Sequence, residues 1–173
     1  DHSFVTVRPC MGNYQENSPR GLYDSWQLVA GTLACLRQPV HACTEIENWP
    51  FTRFSKSVRF TRAQILLSAA LRCPSMTFNM YDHVGTPLYE EPQYGVMLKE
   101  VRARADALAG TYLPEGVDRG IGILQPEDGG RHKRLEPNAR YGDLSMNREH
   151  WAMPLQALGF SMTYEASDVI AIS

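Results

Sequence analysis

The chain repeats one arrangement three times: a short apolar run, a polar loop, then a stretch of helical period. The runs lie near Phe4, Pro39 and Met76, roughly 35 residues apart, the length of one strand, one helix and their loops. Leu22, Trp26, Val29, Leu33 and Leu36 recur at alternating steps of four and three, which predicts a helix from Tyr23 to Arg37. Thr61 is the expected cap of a second helix, with Ile65, Leu66, Ala69 and Ala70 as its buried stripe and Pro74 beyond its end. A third, from Pro92 to Gly110, gathers Tyr94, Met97, Leu98, Val101, Ala105 and Leu108 on one face, with Gly110 as its C-cap. Parallel strands are expected at 4–11, 40–45 and 76–81, each followed by its helix. The chain is thus α/β, and residues 1–112 fit part of a (β/α)8 barrel or of a doubly wound sheet. Periodicity does not separate the two.

Composition changes near residues 111–117, where Pro114–Glu115–Gly116 punctuates the chain. A new strand is expected at Gly120–Leu124, followed by a polar loop from Gln125 to Tyr141 whose Arg131, Lys133 and Arg134 read as solvated surface. Asn147 is the expected cap of a helix carrying Trp151, Leu155 and Leu158, which Pro154 would kink or restart and Gly159 would end. A strand at Val169–Ile172 closes this unit, so residues 117–173 are expected to form a second α/β domain. The chain opens at Asp1 directly into a strand and stops inside another, which predicts an internal piece of a larger protein.

The formal net charge of −2 provides no basic field for nucleic acid, and no apolar run nears the ~20 residues of a membrane span. Cys10, Cys35, Cys43 and Cys73 lie far apart without a CxxC pair, as buried free thiols do. These features lean towards a cytoplasmic protein with no cofactor or metal.

The second strand ends in Thr44–Glu45–Ile46–Glu47–Asn48–Trp49. Side chains alternate along a strand, so Glu45 and Glu47 project to one side, at the C-terminal end, where β/α enzymes keep their chemistry. The Trp49 ring and Asn48 amide beside them suit a sugar, with its apolar CH faces and many hydroxyls. Arg8, late in the first strand, is placed to pair with a carboxylate. Asn79, Asp82 and His83, at the third strand's end, are candidates for binding hydroxyls. The plainer reading gives these residues structural work: the carboxylates cap a helix or pair with Arg53 or Lys56, and Asn79 and Asp82 serve a turn.

The stretch Thr44–Trp49, followed by a long loop, a helix and Phe78–Asn79–Met80–Tyr81–Asp82, resembles the seventh and eighth units of a clan-A glycoside hydrolase, nearest to the family 42 β-galactosidases. The resemblance implies the C-terminal part of a TIM barrel followed by the start of a flavodoxin- or amidotransferase-like domain used in trimerisation. It implies retaining hydrolysis of a carbohydrate by two carboxylates about 5 Å apart. It makes Glu45 the nucleophile, with Glu47 its rival, and Tyr14 the tyrosine that hydrogen-bonds the nucleophile. The acid/base would lie on an earlier strand, before Asp1. Tyr81 stands where family 42 carries tryptophan, a departure that bears on the sugar.

Two other functions fit the same residues. One is a non-catalytic carbohydrate-binding or scaffold protein. The other is a metal-dependent barrel hydrolase using His41, Asp82 and His83, although His41 lies early in its strand.

Overall fold

The structure is a computed structural model that describes residues 6–17, 21–36, 40–48, 55–80, 85–111, 120–123, 137–138, 152–164 and 170–171. The chain divides into two compact units, Asp1–Gly116 and Val117–Ser173.

The first unit is built in the order β1 (Thr6–Val7), α1 (Tyr23–Ala34), β2 (His41–Glu47), α2 (Val58–Ala70), β3 (Ser75–Asn79), a 3-10 turn (Leu88–Glu90) and α3 (Pro92–Gly110). The three strands are parallel and lie side by side in chain order, with β2 in the middle. Formal pairing of β1 is short because Pro9 has no N–H to give to the ladder. The register nevertheless continues: Thr6 faces His41, and further on Cys10 bridges Glu45. Around that bridge the Glu45 N–H donates to the Pro9 carbonyl (3.0 Å) and the Met11 N–H to the Glu45 carbonyl (3.1 Å). Strand β2 runs two residues further than its pattern predicts, so both glutamates lie inside it.

Alternation along β2 sorts its residues cleanly. Ala42, Thr44 and Ile46 are buried against the helices, while His41, Cys43, Glu45 and Glu47 lie on the other face. The core joins Ala42 and Ile46 to Met11, Val29, Ile65, Cys73, Met80, Tyr94, Met97 and Val101, so every helix contributes its apolar stripe. The Thr44 and Ser68 hydroxyls satisfy each other within it.

Helix ends depart from the expectation where a better hydrogen bond was on offer. Ser57, not Thr61, caps α2: its hydroxyl accepts from the Phe60 N–H at 3.1 Å, and Thr61 Oγ1 donates to the Ser57 carbonyl from inside the first turn. Pro92 opens α3 at its first turn, where its missing N–H costs nothing, but Gly110 remains helical and Thr111 takes the C-cap. Helix α1 stops at Ala34, three residues before its predicted end. Helix α2 closes in a Schellman arrangement, with Arg72 N–H to Ala69 O (3.0 Å) and Cys73 N–H to Ser68 O (3.1 Å). This puts Arg72 at φ +61°, a conformation that favours glycine.

The second unit has β4 (Ile121–Ile123), α4 (Ala152–Ala157), β5 (Met162–Thr163) and β6 (Ile170–Ala171). Its strands are parallel in the order β5-β4-β6, with the first strand central, as in the opening of doubly wound sheets of order 2-1-3. Gly120 lets β5 approach closely, because a Cβ there would stand 2.6 Å from the Ser161 carbonyl oxygen. Pro154 sits in the first turn of α4 and leaves it continuous; Gly159, at φ +85°, ends the helix as its sequence predicts. The proposed cap Asn147 lies outside the described residues. Among those residues, no helix is long and apolar enough to cross a membrane.

Arg72 gives a test of the first unit's helix ends. Replacing Arg72 by Gly keeps the Schellman bonds and removes the left-handed strain, so unfolding in urea should show a gain of about 0.5–1 kcal/mol. A loss of stability would mean that the Arg72 side chain outweighs that strain.

Candidate active site

The open face of the first unit's sheet is polar from edge to edge. Pairing puts Glu45 beside Thr77 and Glu47 beside Asn79, with Cys10 on the other side of Glu45. Hydrogen bonds then tie the face together across the strands. His41 Nε2 meets Ser75 Oγ at 2.7 Å, Cys43 Sγ meets Thr77 Oγ1 at 3.1 Å, and Asn79 Nδ2 donates to Glu47 Oε1 at 2.9 Å. Arg8 Nε forms an ion pair with Glu45 Oε2 at 2.9 Å. The guanidinium is largely exposed, so the pair orients Glu45 more than it stabilises the fold.

The chain beyond Cys10 bends back over this end of the sheet. Gly12 and Asn13 both take positive φ, at +57° and +47°. Gly12 also has no room for a side chain, since a Cβ would lie 2.6 Å from Leu28 Cδ1. A buried polar cluster fixes the bend: Asn13 Nδ2 donates to the Gly21 carbonyl and to Ser25 Oγ, while Gln64 Nε2 donates to Ser25 Oγ and the Gly12 carbonyl. Tyr14 is thereby brought to Cys10, its hydroxyl 2.7 Å from Cys10 Sγ, and the Gly12 N–H donates to the same sulfur. Burial above all, then the bond to Cys10 and the nearby charges of Glu45 and Glu47, push the Tyr14 phenol well above its ordinary pKa. Tyr14 therefore stays protonated.

Of the residues singled out in the sequence, the structure brings Arg8, Tyr14, Glu45, Glu47 and Asn79 to one end of the parallel strands. Tyr14 differs in its partner: its hydroxyl bonds Cys10, which is itself bridged to Glu45 through the backbone. Asn48 does not join the group. It is one residue out of phase with the glutamates and faces the helices, where Nδ2 donates to the Met80 carbonyl and to Tyr94 Oη, both at 3.1 Å. Trp49, Asp82 and His83 lie outside the described residues. Among the described residues no group of three His, Cys, Asp or Glu side chains is placed to hold a metal ion.

Sequence reasoning gave Lys56 only a plain pairing role. It is 2% exposed, and its Nζ donates to the Glu47 carbonyl at 2.8 Å. Burial lowers its pKa to about 8, against the opposing influence of Glu47, Cys10 and Glu16, which favours the ammonium. A basic residue in a loop rich in aromatics gives no sign in sequence that it will be buried; only its position some nine residues after a strand-end carboxylate hinted at contact.

Comparison of the chain with family models, with curated proteins and with solved structures gives no match.

The buried ammonium has a consequence for stability. Below pH 8 Lys56 is charged in both states and folding bears the cost of burying that charge. Between pH 8 and 10.5 the folded protein has lost a proton that the unfolded chain still holds, so stability rises with pH across that window. Relative to Lys56→Met, the wild type should gain up to about 3 kcal/mol over this range in urea unfolding. A constant difference between the two proteins would mean that Lys56 titrates as an ordinary surface lysine.

Proposed function

We propose that residues 1–116 form part of the barrel of a retaining, β-galactosidase-like glycoside hydrolase and carry its nucleophile. The observation that carries this reading is the placement of Glu45 and Glu47 on one polar face, at the C-terminal end of the central parallel strand, with Arg8, Tyr14 and Asn79 around them. Such a face can bind sugar hydroxyls through its carboxylates, amide and hydroxyls. It also leaves a carboxylate able to attack an anomeric carbon.

In this reading Glu45 is the nucleophile. Its carboxylate is oriented by the Arg8 guanidinium, which sets positive charge beside one of its two oxygens. Glu47, tied to Asn79, binds a hydroxyl of the sugar. The protonated Tyr14 phenol, held on Cys10 and close to both carboxylates, is a donor available to the carboxylate as it departs from the sugar. The acid/base, which stands about 5 Å from the nucleophile in retaining enzymes, comes from a strand outside residues 1–173. Residues 117–173 would then open an amidotransferase-like domain used in trimerisation.

The test is steady-state kinetics of the intact protein on an aryl β-glycoside. Glu45→Gln keeps the shape of the site and removes the attacking oxyanion, so kcat should fall by several powers of ten. Glu47→Gln should lose less, felt largely in KM, and Tyr14→Phe less than either, about one or two powers of ten, the worth of a supporting hydrogen bond. A fluorosugar should label Glu45, as read by peptide mapping. A label on Glu47 would exchange the two roles, and a protein that cleaves no glycoside would remove the hydrolase reading.

A further inference from the structure

Glu45 and Glu47 sit two residues apart on one strand face, and the two carboxylates are served by different cations. Arg8 meets Glu45 from the exposed rim. Lys56 reaches the end of β2 from the loop before α2 and is buried there, its Nζ on the Glu47 carbonyl at 2.8 Å. One carbonyl does not compensate a buried ammonium, which needs opposite charge nearby. The described groups that supply or border its field come from each neighbouring element: Glu47 on β2, Cys10 beyond β1, and Glu16 in the loop that follows. On the remaining side, the Tyr94 hydroxyl of α3 donates to the Lys56 carbonyl at 3.4 Å. Burial pushes the Tyr94 phenol up, so it stays neutral there.

The same residues form a connected frame. Tyr94 accepts from Asn48, the Asn48 N–H donates to the Asn79 carbonyl, and Asn79 Nδ2 holds the Glu47 carboxylate. Lys56 thus meets the Glu47 main chain by a hydrogen bond, and the Glu47 charge nearby favours its ammonium.

We propose that Lys56 is a positioning residue for Glu47, and that the site is competent only while the Lys56 ammonium keeps its proton. The neutral amine can still donate to the carbonyl. It no longer attracts the carboxylate, so Glu47 loses part of the force that holds it over the sheet. The kinetic arm of this inference rests on the glycosidase reading; the charge coupling does not.

Two measurements separate them. In the first, lysine side-chain signals are followed by NMR against pH, with Lys56 identified by the signal missing from Lys56→Met. Lys56 should titrate near pH 8, and Glu47→Gln should lower that midpoint by about one unit, because a supporting negative charge is gone. A Lys56 midpoint in the ordinary lysine range, or one that Glu47→Gln leaves in place, would overturn the proposal. In the second, kcat/KM of the intact protein on an aryl β-glycoside should fall on the alkaline side with a midpoint near 8. Lys56→Arg, charged at every accessible pH, should carry that limb upward, and Lys56→Met should lower kcat/KM about tenfold or more at neutral pH. An alkaline limb unmoved in an active Lys56→Arg enzyme would also overturn it. A protein inactive on glycosides whose Lys56 still responds to Glu47→Gln would remove the hydrolase reading and leave the coupling standing.

Discussion

The first unit depends on strand β2 having two incompatible faces. Ile46 is fully buried and Ala42 nearly so, and both must lie under the helices to complete the core. A side-chain period of two then obliges His41, Cys43, Glu45 and Glu47 to the opposite face. A slip of one residue would bury two carboxylates and expose Ile46, a cost no local adjustment could offset. The hydrophobic effect therefore fixes the direction of the carboxylates, although it acts on neither of them. The parallel neighbours inherit this choice through their register, which sets Thr77 and Asn79 beside the two glutamates on one flank and Cys10 on the other.

Strand direction alone does not aim a carboxylate. The ends of parallel strands leave main-chain groups without ladder partners, and here they are closed by side chains instead of solvent. Asn48 binds the Met80 carbonyl and the Tyr94 hydroxyl, and Lys56 binds the Glu47 carbonyl. On the β1 side, Asn13, Ser25 and Gln64 hold the turn that carries Tyr14 to Cys10. Both networks are largely buried, where a hydrogen bond is strong and an unmade one is costly. Their members support the site from beneath, and a site so supported loses little freedom when a ligand binds.

The elements were legible in the sequence because they follow from period and polarity. The helix stripes, apart from the exposed Ala70 and Leu108 at helix ends, the three strands and the polar row with both glutamates all rest on spacing that burial enforces. Arg8 pairing with a carboxylate was legible too, since a late strand cation has few other directions to point. Three features were not. Ser57 outcompeted Thr61 as a cap because capping depends on backbone angles that composition does not record. Asn48 looked like part of the acidic cluster by proximity, but its phase put it among the helices, and alternation should have taken precedence over adjacency. The burial of Lys56 is not legible because its place depends on long-range packing of a loop against α3, by way of Tyr94. Such contacts leave no local signature.

The contrast between the two cations bears on what each carboxylate can do. Arg8 is exposed, so its attraction for Glu45 is screened by water and salt, and the pair can open and reform as a ligand arrives. Lys56 is buried, so its field on Glu47 is screened far less, and Asn79 restrains the same side chain from the neighbouring strand. Glu47 is therefore the more firmly held of the two. On these grounds, independent of any likeness in sequence, the proposed hydrolase would give the attacking role to Glu45 and the orienting role to Glu47.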